Sequence, residues 1–250
     1  VKEEILYGIN SAMEALRGKR RAFELFVSRD ASDRRMEKLL KLAAEKGVPV
    51  RNRDKRDISR LCGTDHHQGV ALRLEGFSYA ELTDIIAAWR ESGESGLILV
   101  LDGVQDPHNL GALIRSAACA GAHGVIIPKD RAARVTATVE KSAAGAAETI
   151  PVAQVTNLAQ ALDELKEAGF WIYGAADSAA SSLYDQDLSG NVVVVIGSEG
   201  EGVRPLVRKK CDFLVAIPLR GGVSSLNASV AGGVILFEVL RQRLASTHQN

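Results

Sequence analysis

The 250-residue sequence predicts an α/β protein in which a small α/β lobe precedes a larger domain built on a parallel sheet flanked by helices. Three observations carry this. From Leu97 onward, short apolar runs alternate with helical segments, the pattern of strand–helix–strand units. Some of those runs, "LILVLD" and "VVVVIG" above all, show no polar alternation, as expected of strands buried on both faces. The two parts also differ in charge. Residues 1–75 hold 17 basic and 12 acidic side chains, residues 76–250 hold 14 and 19, and the whole is neutral.

The first lobe opens with the helical segment "NSAMEALRG", whose Met13 and Leu16 fall at helical spacing and which Gly18 ends. "AFELFVS" follows as a strand. "DRRMEKLLKLAAEKG" is amphipathic, with Met36, Leu39, Leu40 and either Leu42 or Ala43 inward and Gly47 as its stop. "VPVRN" and "HQGVALRLE" are two more strands. "GFSYAELTDIIAAWRESGESG" starts as a helix and ends in a Gly/Ser/Glu-rich turn, so the expected division is 1–76, a linker at 77–95, and 96–250. Beyond it come "LILVLD", a helix in "PHNLGALIRSAACAG", "GVIIP", a helix through Val139, "IPVAQV", the helix "NLAQALDELKEAG", "FWIYGAA", "VVVVIG", a short helix from Pro205, "FLVAIP" and a last helix.

No apolar run approaches the ~18–20 residues that span a bilayer. The N-terminus carries acids early and lacks a signal-peptide layout, so a cytoplasmic protein is expected. Cys62, Cys119 and Cys211 are far apart and form no C-x-x-C pair, which predicts reduced thiols rather than disulfides or a zinc knuckle. His66 and His67 lack metal-ligand companions and read as loop or core residues. The basic clusters Arg17–Arg21 and Arg51–Arg56 suit either a polyanion or an ordinary solvated face.

Three strand ends stand out, because ligands of parallel sheets lie outside the C-terminal ends of the strands. In "LDGVQDPHNLGALIRSA", Asp106 and Pro107 start a helix as N-cap and first helical residue, and Asn109 sits in its first turn. Gly111 and Arg115 share a helix face, and Arg115 has either an acid or an anionic ligand as its partner. In "VVVVIGSEGEGV" the glycine spacing G-x-x-G-x-G reverses the dinucleotide fingerprint, which disfavours a nicotinamide dehydrogenase. Two acids in that loop would repel a pyrophosphate and admit a neutral or cationic group. In "GVSSLNASVAGG", Ser225 or Asn227 can cap the last helix, and the small residues serve close packing, a ligand, or both.

Taken together and in this order, "LDGVQDPHNLGALIRSA", "VIGSEGEGV" and "IPLRGGVSSLNASVA" resemble the three motifs of the SpoU family, the TrmH-like RNA 2′-O-ribose methyltransferases of the SPOUT class. The resemblance covers roughly Leu97 to Arg241. "YGINSAMEAL" and "HHQGVAL" resemble the substrate-binding domain that precedes the catalytic domain in 23S rRNA guanosine methyltransferases of that family. Leu219 departs from the pattern, since many members carry Met after "IP"; the swap conserves volume.

The resemblance implies a SPOUT domain with a deep trefoil knot, an exception to the rule against threaded chains. It implies S-adenosylmethionine as methyl donor and no metal, with Gly197, Ile217 and Leu226 binding the donor. Asn109, Arg115, Glu199, Ser225 and Asn227 become the active-site residues. An arginine is a poor base, so Arg115 is expected to anchor phosphate and stabilise the developing alkoxide. The implied substrate is RNA, most simply a 23S rRNA guanosine, with a tRNA guanosine or rRNA adenosine as alternatives; a homodimer is also implied, and no membrane. A catalytically silent rRNA-binding assembly factor is the contrasting expectation.

Overall fold

In the computed structural model, which describes residues 3–18, 20–28, 34–222 and 224–247, the first element is one that hydropathy does not announce. Strand β1 (Glu3–Tyr7) begins exposed and becomes buried only at Leu6 and Tyr7. Helix α1 (Ile9–Arg17), β2 (Ala22–Ser28), α2 (Arg34–Glu45), β3 (Val50–Arg53), α3 (Lys55–Cys62) and β4 (Val70–Glu75) follow. The four strands form one sheet in the order β1-β4-β2-β3, with β4 antiparallel to both neighbours and β2–β3 parallel. The apolar faces of α1 and α2 close one side of it, where Leu16, Met36, Leu39 and Ala43 meet Leu25, Leu72 and Leu74. Ala43 is therefore the fully buried residue of the expected pair, and Leu42 only part-buried. Helix α3 buries Ile58 alone and stops at Gly63, whose φ of 64° is left-handed. A single apolar anchor leaves no periodicity to detect. Of the two histidines, His66 is exposed and His67 is a core residue: its Nδ1 accepts from Gly69 N (2.9 Å) and its Nε2 lies 3.0 Å from Ser59 Oγ.

The second sheet starts after α4 (Leu82–Ser92). Its strands are β5 (Leu97–Asp102), β6 (Gly124–Pro128), β7 (Val152–Val155), β8 (Trp171–Ala175), β9 (Ser181–Ser182), β10 (Val192–Gly197) and β11 (Phe213–Ala216). Their order is β7-β6-β5-β10-β8-β11-β9, and every pairing is parallel. The helices are α5 (Pro107–Cys119), α6 (Ala137–Ser142), α7 (Leu158–Glu167), α8 (Pro205–Arg208) and α9 (Ala228–Thr247).

Two expected boundaries need correction. Residues 77–95 are not a linker. Leu82, Ile85, Ile86 and Trp89 form an amphipathic face that enters the same core as Ile98, Val100, Phe170 and Ile172. Nor is 96–250 one continuous domain: the chain divides into Val1–Ser78 with Val135–Thr149, and Tyr79–Arg134 with Ile150–Asn250. The connection from β6 to β7, which carries α6, thus belongs with the first unit.

A buried ion cluster holds it there. The Arg20 guanidinium donates to Glu140 Oε1 (2.6 Å) and to Glu148, and lies 3.6 Å from Glu4 Oε2. The side chains of Arg20, Glu140 and Glu148 are all at most 10% exposed. Arg20 is thereby withdrawn from the basic cluster it occupies in sequence; Lys19 lies outside the described residues.

Burial, together with Glu148 and Glu4 and against the pull of Arg20, raises the Glu140 carboxyl from 4.5 to about 7. The folded state therefore holds this proton more tightly than the unfolded chain does. The resulting stability is full below about pH 4.5 and is lost as pH rises through about 7. Glu140→Gln keeps the shape and cannot ionise. It is expected to match the wild type near pH 4 and to exceed it at pH 8, by on the order of 1 kcal/mol. Urea denaturation at the two pH values checks this, and an equal difference at both would refute it.

Candidate functional site

Strands β5 and β10 are central neighbours that run in step, from Leu97 opposite Val192 to Asp102 opposite Gly197. They also mark the divide of the sheet: β6 and β7 lie on one side of the pair, β8, β11 and β9 on the other. Loops leaving two adjacent strands at such a divide open a crevice.

From β5 the chain turns through Gly103 (φ 81°) to Asp106, whose carboxylate accepts from His108 N at 2.6 Å and caps α5. Pro107 takes the first helical position, so Asn109 falls in the first turn, where it is 9% exposed. From β10 the chain folds straight back. Ser198 and Gly202 exchange backbone hydrogen bonds (3.2 and 2.9 Å), while Gly200 and Gly202 supply left-handed φ values of 89° and 66°. Gly197 is required for this return, because a Cβ there would sit 2.0 Å from the carbonyl carbon of Gly202. The closed loop presents Glu199 and Glu201.

The third segment enters α9 through Asn227. Its Oδ1 accepts from Ser229 N (2.9 Å), Ser229 Oγ (2.6 Å) and Val230 N (3.3 Å), so Asn227 rather than Ser225 is the helix cap. A backbone N–H can only donate, which fixes the amide: the oxygen faces the helix and the nitrogen faces away. That nitrogen donates to Glu199 Oε1 (2.6 Å) and to Asn109 Oδ1 (3.1 Å), while Asn109 Nδ2 donates to the same Glu199 oxygen (2.7 Å). Three residues from three motifs thus form one cluster in which a carboxylate oxygen receives two amide donors.

The cluster stands between two adjoining cavities of about 590 and 420 Å³. Gly197, Ser225, Leu226 and Asn227 line the larger. Gly103, Val104, Gln105, Asp106 and Asn109 line the smaller, and Ser198, Glu199 and Glu201 line both. Ile217, half-buried and one residue past β11, is not among the lining residues. Arg115 is exposed and lies six residues beyond Asn109, ~9 Å along the helix. Among the described residues its guanidinium has no hydrogen bond or ion pair, so the acid partner that the sequence allowed is not found.

The small residues of the third motif serve both purposes. Ser224 through Ala228 and Ala231 line the larger cavity, while Gly232 admits α5: a Cβ there would meet Leu113 Cδ2 at 2.3 Å. Val223 lies outside the described residues. Sequence reasoning missed Asp102 and Arg204, which are paired below this loop. A carboxylate ending a six-residue buried strand was the available signal, since such a group needs a partner. It also missed Arg208 and Asp177, both on the larger cavity. Among the described residues no group of three or more His, Cys, Asp or Glu side chains could hold a metal. Cys62, Cys119 and Cys211 are free, and burial raises the Cys62 and Cys211 thiols to about 11.

The chain is similar to known proteins. The SpoU rRNA Methylase family matches residues 96–237, and the family described as RNA 2′-O ribose methyltransferase substrate binding matches residues 5–80. The chain is 47% identical over 243 residues to the 23S rRNA (guanosine-2′-O-)-methyltransferase RlmB of Ralstonia nicotianae, covering 97% of each chain. It is 40% identical over 242 residues to the putative TrmH family tRNA/rRNA methyltransferase YacO of Bacillus subtilis, again 97% of each. It is similar in structure to the SpoU methyltransferase AviRb of Streptomyces viridochromogenes in complex with AdoMet. That match has a TM-score of 0.81 and 25% identity and covers 97% of this chain and 91% of the other.

The tight return at Gly197 is open to test. Gly197→Ala forces the loop carrying Glu199 off its strand and is expected to cost about 1–3 kcal/mol, as overpacking typically does. Denaturant unfolding measures it; a variant as stable as the wild type would show that the loop moves freely.

Proposed function

This chain belongs to the SpoU rRNA methylase family, and from that premise we propose that it transfers a methyl group from S-adenosylmethionine to the ribose 2′-hydroxyl of a guanosine in 23S rRNA. The observation that carries the reading is the Asn109–Glu199–Asn227 cluster standing between two adjoining cavities. A donor in one and an acceptor in the other meet across it, as in-line transfer requires.

The larger cavity fits the donor. When bound, the donor supplies an electrophilic methyl on a positively charged sulfur, and Glu199 and Glu201 give that charge a favourable surrounding. Gly197 and Leu226 offer backbone groups and close approach there, with Ile217 assigned to the same task by motif position. Arg208, the one Lys or Arg among the described lining residues, suits the donor's carboxylate. In the smaller cavity the charged lining residues are Asp106, Glu199 and Glu201. Carboxylates accept from the N1–H and N2–H₂ of guanine, an edge adenine does not present.

Glu199 holds the amides of Asn109 and Asn227 in fixed directions toward the target ribose, with Ser225 beside them. The free guanidinium of Arg115 binds the phosphate next to the target and offsets the charge that develops on the 2′-oxygen. RNA is gripped by the first unit along β3 and α3, where Arg51, Arg53, Lys55 and Arg56 are exposed.

The reading extends to a trefoil knot and a homodimer. The knot is supported by the strand order, with β10 inserted between β5 and β8, and by α9 packing against Leu113 and Ile196. The dimer is supported by an apolar stripe on α9, where Val230, Phe237 and Leu244 recur every seven residues and are 51%, 47% and 55% exposed. Action on rRNA puts the enzyme in the cytoplasm, and no helix among the described residues is long and apolar enough to cross a membrane.

Incubating the protein with radiolabelled donor and 23S, 16S and transfer RNA, then mapping 2′-O-methyl positions, tests the activity. A 23S guanosine is the expected product; a tRNA or adenosine product selects an alternative, and no product with any RNA overturns the reading. Arg115→Ala is expected to lower kcat at least ~100-fold, as loss of one transition-state donor does, while donor affinity by calorimetry stays within about threefold. Retained turnover would remove Arg115 from the chemistry. Phe237→Glu is expected to shift sedimentation to the monomer, and an unchanged dimer would place the interface elsewhere.

A further inference from the structure

Asp102 is the one charged residue of β5, and it is 0% exposed. One residue satisfies both of its oxygens: Oδ1 accepts from Arg204 Nε at 2.6 Å and lies 2.6 Å from its Nη2 as an ion pair, and Oδ2 accepts from the Arg204 backbone N at 2.7 Å. Burying a carboxylate is costly, and an apolar side chain in such a place is often as stable or more so. Sheet stability therefore does not account for the pair.

Its position does. Asp102 lies opposite Gly197, where β10 ends, and immediately before Gly103, the first wall of the smaller cavity. Arg204 immediately follows Val203, where the loop bearing Glu199 and Glu201 leaves the larger cavity. The Ser198–Gly202 hydrogen bonds close that loop on itself. The Arg204 fork ties its far end to the neighbouring strand, from which the Asn109 segment also departs. Neither Asp102 nor Arg204 lines either cavity, so whatever they do for the reaction they do through the loop.

We propose that Asp102 and Arg204 are a positioning pair for methyl transfer. They fix the Glu199 loop against β5 so that one carboxylate oxygen meets the amides of Asn109 and Asn227 together. The inference rests on the methyltransferase reading of this site.

A double-mutant cycle on the full-length protein tests it, with guanosine methylation of a 23S transcript and donor affinity by calorimetry as readouts. Arg204→Ala is expected to lower kcat about tenfold or more, since small misplacements of reacting groups are costly, with KM for RNA little changed. Glu199→Gln lowers kcat by itself. The double variant Glu199→Gln/Arg204→Ala is expected to be no slower than Glu199→Gln alone, because Arg204 acts only through Glu199. Arg204→Lys, which keeps the charge and loses the fork, should recover part of the rate. If Arg204→Ala does not fold, Asp102→Asn replaces it in the same cycle, with the same non-additive loss expected. Losses that multiply in the double variant would overturn the proposal. So would a lower melting temperature with wild-type kcat in the folded fraction. If the wild type itself methylates no RNA, the methyltransferase reading fails and this inference fails with it.

Discussion

The parallel pairing of β5 with β10 is the constraint from which the rest of the site follows. The two strands are 95 residues apart in sequence at Leu97 and Val192, yet six residues of each run in step. Asp102 and Gly197 consequently end side by side, and the loops beyond them emerge as neighbours. Slipping the register by one residue would turn every side chain of a strand to the opposite face. It would also part Asp102 from Arg204 and Asn109 from Glu199. Because "LILVLD" and "VVVVIG" are buried and apolar on both faces, hydrophobicity alone would tolerate such a slip, and it is the Asp102–Arg204 pairing at the strand end that would not.

Within the cluster, the geometry is set by direction more than by charge. Asn227 caps α9 with its oxygen, so the helix backbone itself decides where the amide nitrogen points. Glu199 then gathers that nitrogen and the one from Asn109 on a single oxygen. Three groups from distant parts of the chain are held in mutual register without a metal ligand set among them. Such preorganisation is what transfer between two bound molecules demands of an enzyme.

Much of this was legible in the sequence, and the reasons are local. Strands β5 and β10 announce themselves because burial on both faces removes polar alternation. The Asp106–Pro107 helix start and the glycines around Glu199 are short-range signals with a steric cause. It was the resemblance to the three SpoU motifs, not a local signal, that grouped Asn109, Arg115, Glu199, Ser225 and Asn227, of which the structure joins Asn109, Glu199 and Asn227 by hydrogen bonds. What was not legible depends on residues far apart. Helix α3 has one buried side chain, Ile58, and so no periodicity. Helix α4 looked like a linker because its turn-rich end masked the face of Leu82, Ile85, Ile86 and Trp89. Arg20 sat in a basic run that suited either a polyanion or a solvated face, and only the fold reveals its partners, Glu140 and Glu148. For Arg115 the sequence left an acid or an anionic ligand open as partner, and among the described residues the structure supplies no acid.

The excursion of residues 135–149 into the first unit has a consequence for how the chain is made. Arg20 lies 120 residues ahead of Glu140 and 128 ahead of Glu148. At ~5–20 residues per second of translation, the guanidinium waits roughly 6–24 s for the first of those carboxylates. By then β5, α5 and β6 of the other unit have already been synthesised. The unit begun first at the ribosome can therefore be finished only after part of the other has been made, and vectorial synthesis of this protein interleaves its two units.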